Sequence, residues 1–289
     1  MDYSDLIKRV HKIEIKAKGL SANVFSGQYR SAFKGRGMTF SEVREYAYGD
    51  EVRSIDWNVS ARMGKPFVKV FEEERELTLM LMIDVSGSTG FGTKNCLKTE
   101  TITEIAAILA FSAISNNDKV GAMLFSNKVE LFISPKKGSQ HCLRIIRELL
   151  SFKPSGGHTS FTEPFKYISN ILKRRSTCFL ITDGLAKFDK SLSIFANKHD
   201  LCAIVVNDKA EFELPKIGTI LLEDLETKQK QWVDTSDKQT RDNFKAYMLE
   251  IENENFAEFK KLGIDYVNIL TTSDYTKELI KLFAKRERL

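Results

Sequence analysis

No stretch of the 289-residue chain is apolar enough for long enough to cross a bilayer. The longest apolar run, Leu77 to Ile83, is broken by Thr78 and falls far short of the ~20 residues a membrane helix needs. The opening stretch MDYSDLIKRVHKIEIK mixes acids and bases with apolar residues at helical spacing, so it has no signal-peptide hydrophobic region. Cysteine is scarce. Cys96, Cys142, Cys178 and Cys202 lie far apart without a CxxC pair, three of them inside apolar periodic segments, which is the pattern of core thiols in a reducing compartment. No arginine- or lysine-rich block with interleaved aromatics stands apart, and the net charge of +5 is spread over both signs, which describes a solvated surface rather than a nucleic-acid groove. Internal repeats and low-complexity tracts are absent. These absences lead to the expectation of a cytoplasmic protein with no membrane span and no nucleic-acid partner.

What the chain does have is length and apolar content, 42% hydrophobic, enough for one large α/β domain with an appendage. Organisation changes near residue 76. Upstream, after a helix predicted from Asp5 to about Lys18, the text is dense in Gly, Arg and aromatics without sustained period, which predicts short strands and turns near Gly35, Gly37, Gly49 and Gly64. Residues 1–76 are therefore expected to form an N-terminal region packed on a main domain of residues 77–289. Downstream, apolar strands and helices alternate. Strands are predicted at Leu77–Asp84, Val120–Phe125, Val129–Ile133 (a hairpin edge), Thr177–Thr182, Leu201–Val206 and Ile264–Leu270, with a polar hairpin over Thr219–Val233. Helices are predicted around Lys94–Ser115, Leu143–Leu150, Phe165–Leu172, Ser191–Asn197 and Asp274–Arg286, with a long helix marked by Phe244, Tyr247, Met248 and Ile251 that should end at Gly263. That alternation predicts a doubly wound, mostly parallel sheet with helices on both faces.

In such a sheet, ligands sit beyond the carboxyl ends of the strands where strand order reverses. Asp84 ends the first core strand and Asp183 ends a later one. If strand order follows the common 3-2-1-4 pattern, the two strands are neighbours and the carboxylates converge. Ser86 and Ser88 follow the first aspartate, and Thr159 follows Gly156-Gly157, whose lack of side chains lets the backbone come close. These are hard oxygen donors, which favour Mg²⁺, with Mn²⁺ or Ca²⁺ as alternatives, over zinc. A cation there would also neutralise two facing anions that otherwise repel.

The constellation Asp84-x-Ser86-x-Ser88, Thr159 after paired glycines, and Asp183-Gly184 resembles the metal-ion-dependent adhesion site of von Willebrand factor A domains. The N-terminal segments Phe25-x-Gly27, Gly35-x-Gly37, Arg44-x-Tyr46, Gly49-Asp50, Arg53-x-Ile55-Asp56-Trp57 and Ala61-Arg62 resemble a bacterial family of von Willebrand A-like proteins encoded beside MoxR-type AAA+ ATPases. The resemblance implies that Ser86, Ser88 and Thr159 bind a metal directly and that Asp84 and Asp183 bind it largely through water. The last coordination position would be completed by a carboxylate from a partner, either a MoxR-type ATPase or a client protein that the pair matures or remodels. His158 departs from the family pattern by standing between the glycines and Thr159, which makes Ser160 the substitute donor to examine. Arg53, Asp56 and Trp57 are read either as partner or interdomain contacts or as a buried ion pair under an aromatic lid.

Enzymatic readings have less behind them. Gly87 to Lys94 imitates a phosphate loop, but Thr93 intervenes before the lysine and no Ser or Thr follows it. No GxSxG elbow occurs, and no nucleophile, histidine and acid fall into order. The alternative is a Mg²⁺-dependent phosphate-ester or nucleotide hydrolase working from the same oxygen ligands, without an evident general base.

Overall fold

Leu79 to Ile83 places five apolar side chains in succession, and all five are fully buried at the middle of the sheet. The computed structural model describes residues 3–21, 39–72, 77–87, 98–152, 159–184, 186, 188–223 and 229–287. Strand β3 (Thr78–Asp84) pairs in parallel with β4 (Lys119–Phe125) on one side and β6 (Thr177–Thr182) on the other. Strands β7 (Asp200–Asn207) and β10 (Asp265–Leu270) extend the parallel arrangement, and β5 (Val129–Lys136) closes the other edge antiparallel to β4. The order is β10-β7-β6-β3-β4-β5. Numbered by appearance within this sheet it reads 3-2-1-4-5-6 from the β5 edge, a doubly wound sheet that switches direction between β3 and β6.

Burial on both faces explains why these strands read as continuous apolar runs rather than alternating ones. Met80, Met82, Met123, Phe125, Leu180, Ala203 and Val205 join one cluster with Phe165 and Ile168 of α5 (Thr162–Ile171), Phe195 of α6 (Lys190–Lys198) and Phe259 of α7 (Lys238–Lys261). On the opposite face Phe179 meets Phe283 of α8 (Tyr275–Glu287) edge to face, with 6.3 Å between ring centroids.

The helix predicted near 94–115 is α3, Lys98–Ser115, and it is buried all round rather than on one stripe. The second face is covered by α1 (Tyr3–Leu20), tied to it by ion pairs Arg9–Glu100 (2.5 Å) and Lys16–Glu104 (2.7 Å). The tyrosine hydroxyl that opens α8 donates to the same Glu104 at 2.6 Å. The compact units consequently divide differently from the expectation of a 1–76 region: α1 goes with residues 78–289, and the smaller unit is residues 34–77. The smaller unit holds the antiparallel pair β1 (Thr39–Glu45) and β2 (Phe67–Glu72) and a short helix α2 (Trp57–Met63). Gly49 and Gly64 turn there with positive φ, and Arg44 fixes the first of these turns through two bonds to Asp50, at 2.6 and 2.7 Å. Helix α4 (Ser139–Ser151) and the antiparallel hairpin β8 (Thr219–Glu223) and β9 (Lys230–Asp234) complete the main unit. Among the described residues no helix is long and apolar enough to cross a membrane.

Cys142, Cys178 and Cys202 are buried free thiols, and burial pushes Cys142 and Cys202 up to about 12, which leaves them protonated and unreactive. Cys96 lies outside the described residues. His199, at the end of α6, is 1% exposed, stacks near Phe195, and neither ring nitrogen has a hydrogen-bond partner. Desolvation, with smaller contributions from Lys198 and Arg175, lowers its pKa to about 4. The unfolded chain binds the extra proton first, so the His199 contribution to stability is lost on acidification from about 6.5 to about 4. His199→Leu is expected to add about 1 kcal/mol at pH 7 by removing unpaired buried nitrogens. The variant should also flatten the acid limb of melting temperature against pH, and an unchanged limb would count against this account.

Candidate metal centre

Three neighbouring structures deliver the site to the switch point: the end of β3, the end of β6, and the segment after residue 158. Asp84 and Asp183 are each 1% exposed, Ser86 is likewise buried, and Thr159 is nearly so at 8%. Asp84 Oδ1 accepts the backbone N–H of Ser86 at 2.9 Å, and the Ser86 hydroxyl also bonds to this carboxylate. Asp84 Oδ2 accepts the Thr182 hydroxyl at 3.0 Å and the Thr159 hydroxyl at 3.5 Å. Thr182 in turn accepts the N–H of Gly184 at 3.2 Å, which locks the turn that carries Asp183. Gly184 has φ +69, and a Cβ there would lie 2.9 Å from Val205 Cγ1, so this turn needs glycine on two counts. Its carbonyl accepts Asn255 Nδ2 of α7 at 2.5 Å.

Burial is the larger cause, and the Asp183 charge the next, of a pKa of about 7 for Asp84, against the usual 3.8. The fold thus holds two carboxylates where neither reaches water. Part of the charge is met by Lys98, fully buried at the start of α3. Its Nζ lies 2.5 Å from Glu211 Oε1 and 3.4 Å from Asp183 Oδ2. Glu211 follows β7 and is itself held by a capping box: its Oε2 accepts the Asp208 N–H at 2.7 Å while Asp208 accepts the Ala210 N–H at 2.9 Å. Asp208 also accepts the Thr271 hydroxyl, just past β10, at 2.7 Å. Burial raises the pKa of Glu211, and Lys98 opposes that rise.

The structure brings Asp84, Ser86, Thr159 and Asp183 together; Ser88 and His158 lie outside the described residues. Thr159, rather than Ser160, carries the hydroxyl near Asp84, while the Ser160 N–H donates to the Ser126 carbonyl at 3.2 Å. Arg53, Asp56 and Trp57 do not form the buried ion pair under an aromatic lid that one reading expected. Arg53 and Trp57 are exposed, and Asp56 caps α2 through the N–H groups of Asn58 and Val59 while pairing with Lys69 at 3.4 Å. The sequence reading missed Thr182, Lys98 and Glu211. A lysine inside an otherwise apolar helical face, and an acid just beyond a core strand end, were the available signals. Among the described residues no three His, Cys, Asp or Glu side chains gather as a metal-holding cluster; of the residues expected as ligands two are carboxylates and the others hydroxyls, and the third acid, Glu211, pairs with Lys98.

Sheet order and site together define a doubly wound α/β protein with a buried, oxygen-rich cluster at its switch point. The chain belongs to the family described as "Protein of unknown function DUF58", which it matches over residues 42–254. Rv1480 of Mycobacterium tuberculosis, itself described as uncharacterized, is 25% identical over 292 aligned positions, covering all of this chain and 92% of that protein. YeaD of Bacillus subtilis is 32% identical over 110 positions, 38% of this chain and 25% of that protein. Among solved structures, BatB from Bacteroides thetaiotaomicron overlaps 74% of this chain and 100% of its own, at 14% identity and a TM-score of 0.48. The VWA domain of SpRpn10 overlaps 73% of this chain and 95% of its own at 13% identity and a TM-score of 0.41.

Proposed function

We propose that the chain is a divalent-cation-dependent protein-interaction module. The observation that carries this reading is the convergence of Asp84 and Asp183, both buried, with the hydroxyls of Ser86 and Thr159 around them. The donor set suits a hard cation, since it contains only oxygen. The charge balance suits one too: Asp84, Asp183 and Glu211 against Lys98 leave a surplus of two negative charges when all are ionised. Asp84, Ser86, Thr159 and Asp183 would hold the ion, with Ser88 as a further donor, and Mg²⁺ is the first choice. Bound there, the ion supplies a Lewis-acidic contact point for a partner carboxylate. Thr182 and Gly184 keep the two aspartates oriented whether or not a partner is present.

The partner class rests on the sequence resemblance: a MoxR-type AAA+ ATPase, or a client that the two proteins mature or remodel together. Immobilised wild-type chain is expected to retain the ATPase in Mg²⁺ and to lose it in EDTA or with Asp84→Ala. Equal recovery under all conditions would sink the cation-bridged version. Hydrolysis of phosphate esters or nucleotides by the same preparation, dependent on both Mg²⁺ and Asp84, would replace this reading with an enzymatic one.

A further inference from the structure

Lys98 is the one group in the cluster that a cation site by itself does not require. A lysine is almost never fully buried unless paired, and burying one at the start of a helix among carboxylates is costly unless its three N–H donors are engaged. Here the ammonium forks between two acids of unequal distance, 2.5 Å to Glu211 and 3.4 Å to Asp183. Glu211 is placed for this role by its capping box with Asp208, which is anchored in turn by Thr271. The ammonium therefore stands on the same aspartate that a divalent cation would use, with a second acid ready to hold it.

We propose that Lys98 is a positioning residue and the resident cation of the site, satisfying Asp183 when no metal is bound and withdrawing onto Glu211 when a divalent cation takes Asp183. This inference rests on the cation-binding reading above. Its physical content is competition. A unit positive charge within a few ångströms opposes the incoming ion across a medium that screens poorly, so the site binds more weakly than its oxygens alone allow. Glu211 lessens that penalty by giving the ammonium another acceptor.

The test is calorimetric titration of the 289-residue chain with Mg²⁺ and with Mn²⁺, independent of any activity. Lys98→Met is expected to tighten binding by about tenfold or more, because the competing charge is gone. Glu211→Gln is expected to weaken it several-fold, because the ammonium is left to Asp183 alone. Lys98→Met/Glu211→Gln preserves the net charge of the cluster and leaves no unpaired buried glutamate, so it answers the question even where the single Lys98 variant does not fold; it too should bind more tightly than wild type. In the Lys98→Met background, Glu211→Gln should weaken binding less than it does in wild type, which is the coupling that a purely local effect of Glu211 would not show. Wild-type affinity or weaker in both folded Lys98 variants would overturn the inference while leaving the cation site intact. Binding by Lys98→Met but not by wild type would do the reverse: Lys98 would then be the site's cation, and the native protein would not use a metal. No binding by any variant would overturn both.

Discussion

Replacing Asp84 by asparagine is expected to stabilise the cation-free protein at pH 8 and to abolish its stabilisation by Mg²⁺, two opposite effects of one substitution. The first follows from linkage. The Asp84 carboxyl titrates near 7 in the folded protein and near 3.8 when unfolded, so between those values the folded state binds the extra proton. The Asp84 contribution to the stability of the cation-free protein therefore declines as pH rises from about 4 to about 7 and stays low above that, opposite in sign to the His199 contribution across the same window. Asparagine never ionises and escapes the decline. Its amide suits the position: Oδ1 can accept the Ser86 N–H, and Nδ2 can donate to the hydroxyls of Thr182 and Thr159, which then act as acceptors. The second effect follows from mass action. An ion at 100 times its dissociation constant adds ~2.7 kcal/mol to the folded state, worth several degrees of melting temperature in a chain of this size. Asparagine removes the charge that holds the ion. Thermal melts of both proteins across pH 4 to 9, with and without millimolar Mg²⁺, Mn²⁺ or Ca²⁺, decide the matter. Because His199 acts in the opposite sense over the same range, the decisive quantity is the variant minus wild-type difference: a difference that does not grow between pH 4 and 7, with a wild type indifferent to cation, would refute the account.

Half of that pair of effects is legible in the sequence. The two aspartates could be placed because apolar strands buried on both faces give long unbroken runs with sharp ends: the run ending at Ile83 and the one ending at Thr182 announced where Asp84 and Asp183 would lie, and the alternation of strands with helices announced the sheet order that makes them neighbours. Lys98 and Glu211 were not legible in the same way. A lysine in a helix reads as solvated by default, and only the tertiary fold shows that α3 is buried all round and that the turn after β7 swings an acid onto its first residue. The fate of α1 was hidden for a related reason. Its apolar spacing announced an amphipathic helix, but spacing does not name the surface that covers it, and that surface proved to be α3, 80 and more residues away. Turn glycines were legible where conformation alone demands them, as at Gly49 and Gly64; the second demand on Gly184, the nearness of Val205, depends on a strand pairing.

Arg286→Ala is expected to cost about 3 kcal/mol of stability, the low end for breaking a buried ion pair because one partner remains partly exposed, while leaving cation affinity unchanged. Arg286, in the last turn of α8, donates to both oxygens of Asp200 at 2.6 and 2.7 Å and to Asp265 at 3.2 Å. Asp200 opens β7 and Asp265 opens β10, so one guanidinium gathers the amino ends of two adjacent parallel strands and the helix that crosses them. Truncation leaves two neighbouring carboxylates facing each other without their counter-charge. Lysine would restore the charge but not the planar fork whose two arms reach Asp200 through Nη2 and Asp265 through Nη1, so Arg286→Lys should recover only part of the loss. The site lies at the opposite, carboxyl edge of the same sheet, beyond β3 and β6, a strand length of roughly 20 Å away at ~3.3 Å per residue. Denaturant melts should therefore separate the two functions of the sheet: Arg286→Ala shifts the midpoint with the Mg²⁺ dissociation constant intact, and Asp183→Ala removes Mg²⁺ binding. A fall in Mg²⁺ affinity with Arg286→Ala would mean that the amino-end anchor sets the geometry of the carboxyl-end site, and the independence of the two ends of the sheet would have to be given up.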